Sequence, residues 1–373
     1  MNIGIFGTFD LLNYGDLLFP IIAEAELRER LGEVKVIPYS YRKKTTSDWP
    51  YDVKRLGELD SDWPALDGVV IGGGHLIRFD SEIAPGYYPE NPEELAHPEA
   101  YWLAPALAAV QKNVPVCWNA PSASLGLPGW GRELIGEALK KSEYCSVRDT
   151  ASALELDGLG ANLQLVPDSA FGVDRVFKPR QPSEKPYLII QANPSLRELI
   201  DGFKQSDLSK QYDIYFLPVC VCLDDGLSTV SDLWPEAIGL ELMPDLESMA
   251  AWIGGAAGVV AASLHLSITA LTYGVPVLRR ACTADGKYAF LQESPRVFWT
   301  REPQDQPYQS FLEALGTRCK CGLALSAASK LKKHWDQIAS IFLKGAKEKH
   351  PESNFGAINR RILLIKKTEA KPD

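Results

Sequence analysis

The feature that most constrains this chain is a stretch near residue 260 where a short apolar run, a helical segment, a turn and a second apolar run follow one another. Val259, Val260 and Ala261 have the length and composition of a buried parallel strand. The segment after them reads as a helix stopped by Gly274-Val-Pro276, and Val277 and Leu278 resume extended structure. A strand, helix and strand in this order build a parallel sheet, and ligands of such sheets bind beyond the carboxyl ends of the strands. Those ends carry Ser263, Leu264 and His265 after the first strand and Arg279 and Arg280 after the second, with Lys287 in the loop beyond.

The same alternation runs through the chain, so the expected class is α/β with two Rossmann-like domains. In the first half, strands are expected at 2–6, 34–38, 68–71, 114–118, 144–147 and 163–166, and helices at 15–31, 99–111, 131–140 and 150–156. In the second half, strands are expected at 187–192 and 213–219, then a helix at 246–254 before the unit above, and helices at 311–315 and 326–344. The proline-rich, charged segment 178–186 reads as the linker, which places one domain at 1–177, a second at 187–345 and an extension at 346–373 whose end, from Lys366, is expected to be disordered. Residues 79–98, rich in proline, acid and tyrosine, read as a long surface loop of the kind used as a lid or acceptor-binding element.

Charge and cysteine content narrow the function. A net charge of −9, from 39 basic and 48 acidic residues, argues against general nucleic-acid binding while leaving room for a local basic pocket. No apolar run is long enough to span a bilayer and the first residues lack signal-peptide character, so a cytoplasmic location is expected, with the inner face of the membrane as an alternative. The seven cysteines are scattered and odd in number, which favours free thiols. Cys220 and Cys222 sit in an apparent strand, so no metal site is expected from them and the Cys319 and Cys321 pair.

Three further places can carry chemistry. The turn after the first strand holds Asn13-Tyr14-Gly15-Asp16 at a helix start, a setting in which backbone amides approach a polar ligand. Gly72, Gly73 and Gly74, followed by His75, end a strand in bare backbone. Arg148 follows the strand at 144–147 and should project into an interdomain cleft. Each also has a plain structural reading: a surface pair of Arg148 with Asp149, Asp16 as a helix-start acid, His265 as a hydrogen-bonded core residue, and the glycines as close strand packing.

These residues in this order resemble the polysaccharide pyruvyltransferases. The carriers are Asn13-Tyr-Gly-Asp16, Gly72-Gly-Gly74, the strand ending at Arg148, Val166-Pro-Asp168, Leu264-His265 before Gly274-Val-Pro-Val277, and Lys287. The family pattern reads Arg-Leu-His where this chain has Ser263-Leu264-His265. The resemblance implies a GT-B-like pair of domains and transfer of pyruvate from phosphoenolpyruvate, with no cofactor, to a sugar of a bacterial cell-surface polysaccharide or its lipid- or nucleotide-linked precursor. It implies His265 and Asp16 as proton donor and base. Arg148, Arg279, Arg280 and Lys287 are the cations for the donor's carboxylate and phosphate, and Asn13, Tyr14, Ser263, Leu264, Gly72, Gly73, Gly74 and His75 are further substrate contacts. With serine at 263, either Arg279 or Arg280 supplies the missing charge or the donor differs. A glycosyltransferase using a nucleotide sugar and a silent sugar-binding protein therefore stand as alternatives.

Overall fold

The computed structural model describes residues 1–79, 98–181, 184–221, 225–240, 245–280, 286–320, 322–345 and 355–369. The chain forms two compact units, one of residues 1–11, 19–169 and 330–373, the other of residues 12–18 and 170–329. The cysteines Cys222 and Cys321, and nearly all of the 79–98 segment, lie outside the described residues.

The first unit opens with β1 (Asn2–Phe6), buried throughout after Asn2 as a central parallel strand must be. Next come α1 (Tyr14–Leu31), β2 (Lys35–Ser40), the two-residue β3 (Lys54–Arg55), the single turn α2 (Leu59–Asp62) and β4 (Gly68–Ile71). α3 (Leu103–Gln111), β5 (Val116–Trp118), α4 (Gly129–Lys141), β6 (Cys145–Val147), α5 (Thr150–Glu155) and β7 (Leu163–Leu165) complete the alternation. The sheet order is β3-β2-β1-β4-β5 with every pair parallel, and a bridge from Cys117 to Tyr144 carries the pleat on toward the β6-β7 pair. Strand order reverses between β1 and β4, so the loops after Phe6 and Ile71 flank this unit's switch point.

The second unit contains β8 (Tyr187–Gln191), α6 (Arg197–Lys204), α7 (Leu208–Gln211), β9 (Asp213–Leu217) and β10 (Ile238–Gly239). It continues with α8 (Leu246–Gly255), β11 (Gly258–Val260), α9 (Leu264–Thr272), β12 (Val277–Arg280), β13 (Val297–Thr300) and α10 (Gln306–Ala314). Its six strands lie in the order β10-β9-β8-β11-β12-β13, all parallel, and the reversal falls between β8 and β11. α9 stops where Gly274 takes a φ of 76°, the left-handed cap that a residue with a Cβ adopts at a cost.

The chain ends with α11 (Gly322–Leu343) and α12 (Phe355–Glu369), and here the division differs from the one the sequence suggests. α11 buries His334, Trp335 and Phe342, and the Phe342 ring lies against Gly68 of β4. Ile358 and Ile362 of α12 join the first unit's core, so residues 330–373 complete the first unit instead of extending the second, and the end expected to be disordered is helical to Glu369. The proline-rich segment expected to link the domains is tied to the second unit. Tyr273 donates to the Phe177 carbonyl at 3.0 Å, Arg180 N–H donates to Ala251 at 3.0 Å, and the Arg180 guanidinium sits 4.0 Å from the Trp252 ring. No helix of the described residues is long and apolar enough to cross a membrane.

Candidate active site

The turn at 13–16 and the histidine of α9 meet inside the second unit. Tyr14 N–H donates to the Val219 carbonyl at 2.9 Å and Val221 N–H to Leu12 at 3.1 Å, so the turn is stitched antiparallel to the segment after β9. Tyr14 is fully buried, its hydroxyl 3.1 Å from Thr269 Oγ1 on α9, and burial raises its pKa. Gly15 then lies flat against the imidazole of His265. A Cβ at Gly15 would stand 1.8 Å from Nδ1, so no other residue fits beside this ring. Asp16, in the first turn of α1, accepts from Asn13 Nδ2 at 2.9 Å, while Asn13 Oδ1 accepts from Gly15 N–H at 3.3 Å.

The loop between β11 and α9 is held from two sides. Gln191, the polar last residue of β8, accepts the N–H groups of Ala262 and Ser263 on Oε1 at 2.8 and 2.7 Å. Its Nε2 donates to the carboxylate of buried Asp225 at 3.0 and 2.9 Å, and that carboxylate also accepts from Val219 N–H, Cys220 N–H and Asn193 Nδ2. From below, the buried guanidinium of Arg279 donates to the carbonyls of Ser263 and Ala262 at 2.7 and 2.6 Å and to Ser267 Oγ. It also lies 4.8 and 5.3 Å from the rings of Tyr288 and Trp299. Ser263 caps α9 by accepting from Leu266 N–H, and Leu264 is buried packing at the first helical position. This frame sits at the β8/β11 switch point, where α/β sheets bind ligands.

Arg279 thus faces carbonyl oxygens of its own loop, whereas Arg280 is half-exposed, donating to Ser195 O at 3.2 Å and pairing with Glu198 at 2.9 Å. The side chain of Lys287 lies outside the described residues.

The remaining candidates belong to the first unit. Gly72 and Gly73 are demanded by packing, since a Cβ would meet the Phe6 carbonyl at 2.7 Å and the Phe19 ring at 2.6 Å, and Gly74 has a φ of 91°. His75, half-buried, bonds Ser122 Oγ through Nδ1 at 2.8 Å and Ser124 Oγ through Nε2 at 3.1 Å. Arg148 is not an open cleft residue: its side chain is 2% exposed and its Nη1 donates to buried Asp168 at 2.8 Å. Asp149, the partner expected for a surface pair, does lie 3.7 Å from Arg148 Nε, but both side chains are largely buried, and Asp149 also caps α5 by accepting from Ser152 N–H. Arg148 Nε makes no hydrogen bond among the described residues and faces the Asp149 carboxylate at 3.7 Å.

Behind this pair runs a buried polar chain. Tyr144 O–H lies 2.9 Å from His334 Nδ1, His334 Nε2 lies 3.0 Å from Asn119 Oδ1, and Asn119 Nδ2 donates to Ser169 Oγ at 3.1 Å. Burial, with a smaller push from Arg30, lowers the His334 pKa to about 3, so the ring is neutral. The bond to Asn119 Oδ1, an acceptor, then puts the proton on Nε2. Ala120, next to Asn119, holds a left-handed φ of 48°, with its N–H donated to Ser146 Oγ at 2.9 Å.

Sequence reasoning missed Gln191, Asp225, Asn119 and His334. A glutamine closing an otherwise apolar run, Tyr-Leu-Ile-Ile-Gln191, was the one available signal.

Comparison with known proteins identifies the family and the fold. The sequence model of a family described as polysaccharide pyruvyl transferase matches residues 13–281, more than two thirds of the chain. No curated protein matches. Among solved structures, UDP-GlcNAc 2-epimerase from Methanocaldococcus jannaschii is similar with a TM-score of 0.53 at 11% identity, over 98% of this chain and 100% of that one. UDP-GlcNAc 2-epimerase from Neisseria meningitidis bound to UDP-GlcNAc is similar with a TM-score of 0.51 at 10% identity, over 100% of both chains. At such identities the likeness concerns the fold, and it bears out an α/β chain of two Rossmann-like units of the GT-B class.

Proposed function

The chain belongs to the polysaccharide pyruvyl transferase family and is a transferase, and from that premise we propose that it moves a pyruvyl group from phosphoenolpyruvate to a sugar of a bacterial cell-surface polysaccharide or its precursor, forming a ketal. The observation that carries the proposal is the contact of His265 with Gly15. It joins the two ends of the matched region, and no residue but glycine could stand there.

In this reading His265 delivers a proton to the methylene carbon of the donor, leaving an oxocarbenium-like centre at C2. A sugar hydroxyl adds there as Asp16 takes its proton. Phosphate then leaves with the C–O electron pair, and a second hydroxyl of the same sugar closes the ketal. Of the two hydroxyl protons, one ends on the new methyl group and the other on phosphate. The donor's anionic groups are held by the α9 N-terminus and the half-exposed Arg280.

The serine at 263 is reconciled with an anionic donor by Arg279. Its guanidinium lies directly under the Ser263 carbonyl, so a positive charge persists at the loop, delivered from β12. Arg148, whose Nε makes no hydrogen bond among the described residues, is assigned to an anion of donor or acceptor.

The test is a thermal-shift comparison of phosphoenolpyruvate with a panel of nucleoside-diphosphate sugars, followed by phosphate release with candidate acceptors. A ligand binding only the folded state raises Tm by mass action. Stabilisation by phosphoenolpyruvate is expected; stabilisation by a nucleotide sugar alone would overturn the donor assignment.

A further inference from the structure

The charge of this chain is unevenly distributed. Residues 320–373 hold twelve lysines and arginines against five acids, within a protein of net charge −9. The exposed Lys330 and Lys333 of α11 and Lys344, the residue after its end, whose N–H still donates to the Ser340 carbonyl, fall within about 60° of one another around the helix axis and span about 21 Å along it. None of the three makes an ion pair or a side-chain hydrogen bond among the described residues. The acid of the same helix, Asp336, is turned to Arg30 at 2.7 Å, so it does not neutralise the stripe.

The stripe ends at a cavity of about 600 Å³. Val110, Val114, Pro115 and Ile341 give it apolar walls, and Lys141, likewise exposed and without an ion pair among the described residues, faces it together with Lys344. The carboxylate at this site, Glu143, accepts from Val116 N–H at 2.8 Å.

From these observations we infer that the outer face of α11, with Lys141 and the cavity beside it, docks the protein on an anionic phospholipid surface. A row of cations about 21 Å long exceeds any single small anion and matches an array of phosphates. The apolar part of the cavity wall, Val110, Val114, Pro115 and Ile341, suits lipid better than a nucleic-acid backbone, which offers no acyl chain to receive. The acidic remainder of the chain is repelled by the same surface, so the attraction is also orienting. This inference stands whether or not the donor assignment above is correct.

The experiment is co-sedimentation of the full chain with vesicles of phosphatidylcholine alone and of phosphatidylcholine with phosphatidylglycerol, at low and at 0.5 M salt. Each lysine near such a surface contributes about fivefold to partitioning. Lys330→Gln/Lys333→Gln/Lys344→Gln should therefore weaken binding to the anionic vesicles about 100-fold, with an unchanged melting temperature because all three side chains are exposed. Equal binding to both vesicle types, no sedimentation with either, or full binding by the triple variant would overturn the inference. Binding to a duplex oligonucleotide that the triple variant loses, with no vesicle binding, would overturn it in favour of a nucleic-acid surface.

Discussion

Replacing Gly15 by alanine inserts one methyl group into the contact on which the proposed chemistry depends. The new Cβ would lie 1.8 Å from His265 Nδ1 and 2.0 Å from Cγ. Ordinary contact begins at 3.4 Å, so the ring must retreat by about 1.6 Å or the turn must lift by as much. Gly15 does not occupy the left-handed region, so alanine is conformationally allowed there, and in a helix it is favoured over glycine by about 0.5–1 kcal/mol. The steric term alone therefore sets the sign. Overpacking of this kind costs about 1–3 kcal/mol, and displacing a catalytic group by 1 Å or more costs about 10²-fold in turnover. The assay pairs urea denaturation with phosphate release from phosphoenolpyruvate for Gly15→Ala, His265→Ala and the double variant. With His265 present, Gly15→Ala should destabilise; with His265 removed, the same change should be neutral or stabilising by up to about 1 kcal/mol. An equal cost in both backgrounds, or full turnover by the single variant, would show that ring and turn are not coupled as described.

Three other outcomes follow from the site. Arg148→Ala leaves the buried Asp168 carboxylate without its cation and should cost about 3–5 kcal/mol in chemical denaturation, while Arg148→Met/Asp168→Leu should recover much of that stability but not activity. His334, neutral in the fold with a pKa near 3 and unperturbed at about 6.5 when unfolded, is protonated preferentially in the unfolded chain between those values. Its contribution is therefore fully present above about pH 6.5 and is lost at about 1.4 kcal/mol per pH unit as pH falls toward 3, and His334→Gln should flatten the stability profile in that window. Asp225→Asn sets an amide N–H₂ against the donors Val219 N–H, Cys220 N–H and Gln191 Nε2, so it should cost about 1–3 kcal/mol and raise KM for the donor more than it lowers kcat; an unchanged KM would free the β11–α9 loop from this network.

The regular elements were legible because their signals are local. Short apolar runs such as Gly68–Ile71 and residues 187–190, bounded by turn signals and rich in β-branched residues, read as buried parallel strands, and the structure places β-strands there. The histidine and the first turn were legible separately, as residues beyond strand ends. What was not legible is which partners burial assigns. Arg148, followed directly by Asp149, reads as an exposed pair, yet its guanidinium is buried and reaches twenty residues on to hydrogen-bond Asp168, while Asp149, 3.7 Å from Nε, also caps α5. Arg279 and Arg280 are indistinguishable as letters. The alternation of a strand sends one into the sheet, under the Ser263 carbonyl, and the other toward solvent. The domain division failed for a related reason. A proline-rich segment marks a change of local structure, but membership of a unit is decided by which core a distant helix completes, as Ile358 and Ile362 do for the first.

That last feature orders events during synthesis. A ribosome delivers the amino terminus first, and a domain that is contiguous from its start can fold while the rest is still being made. Here residues 1–11 and 19–169 lack Phe342, Ile358 and Ile362 until α11 and α12 emerge, whereas residues 12–18 and 170–329 are all made before those side chains. The unit that begins second is thus equipped to fold first, and the nascent amino-terminal half must stay unaggregated with an unfinished core. A truncation that removes α12 should therefore be more damaging than the polar character of that segment suggests, yielding an insoluble product in place of a trimmed enzyme.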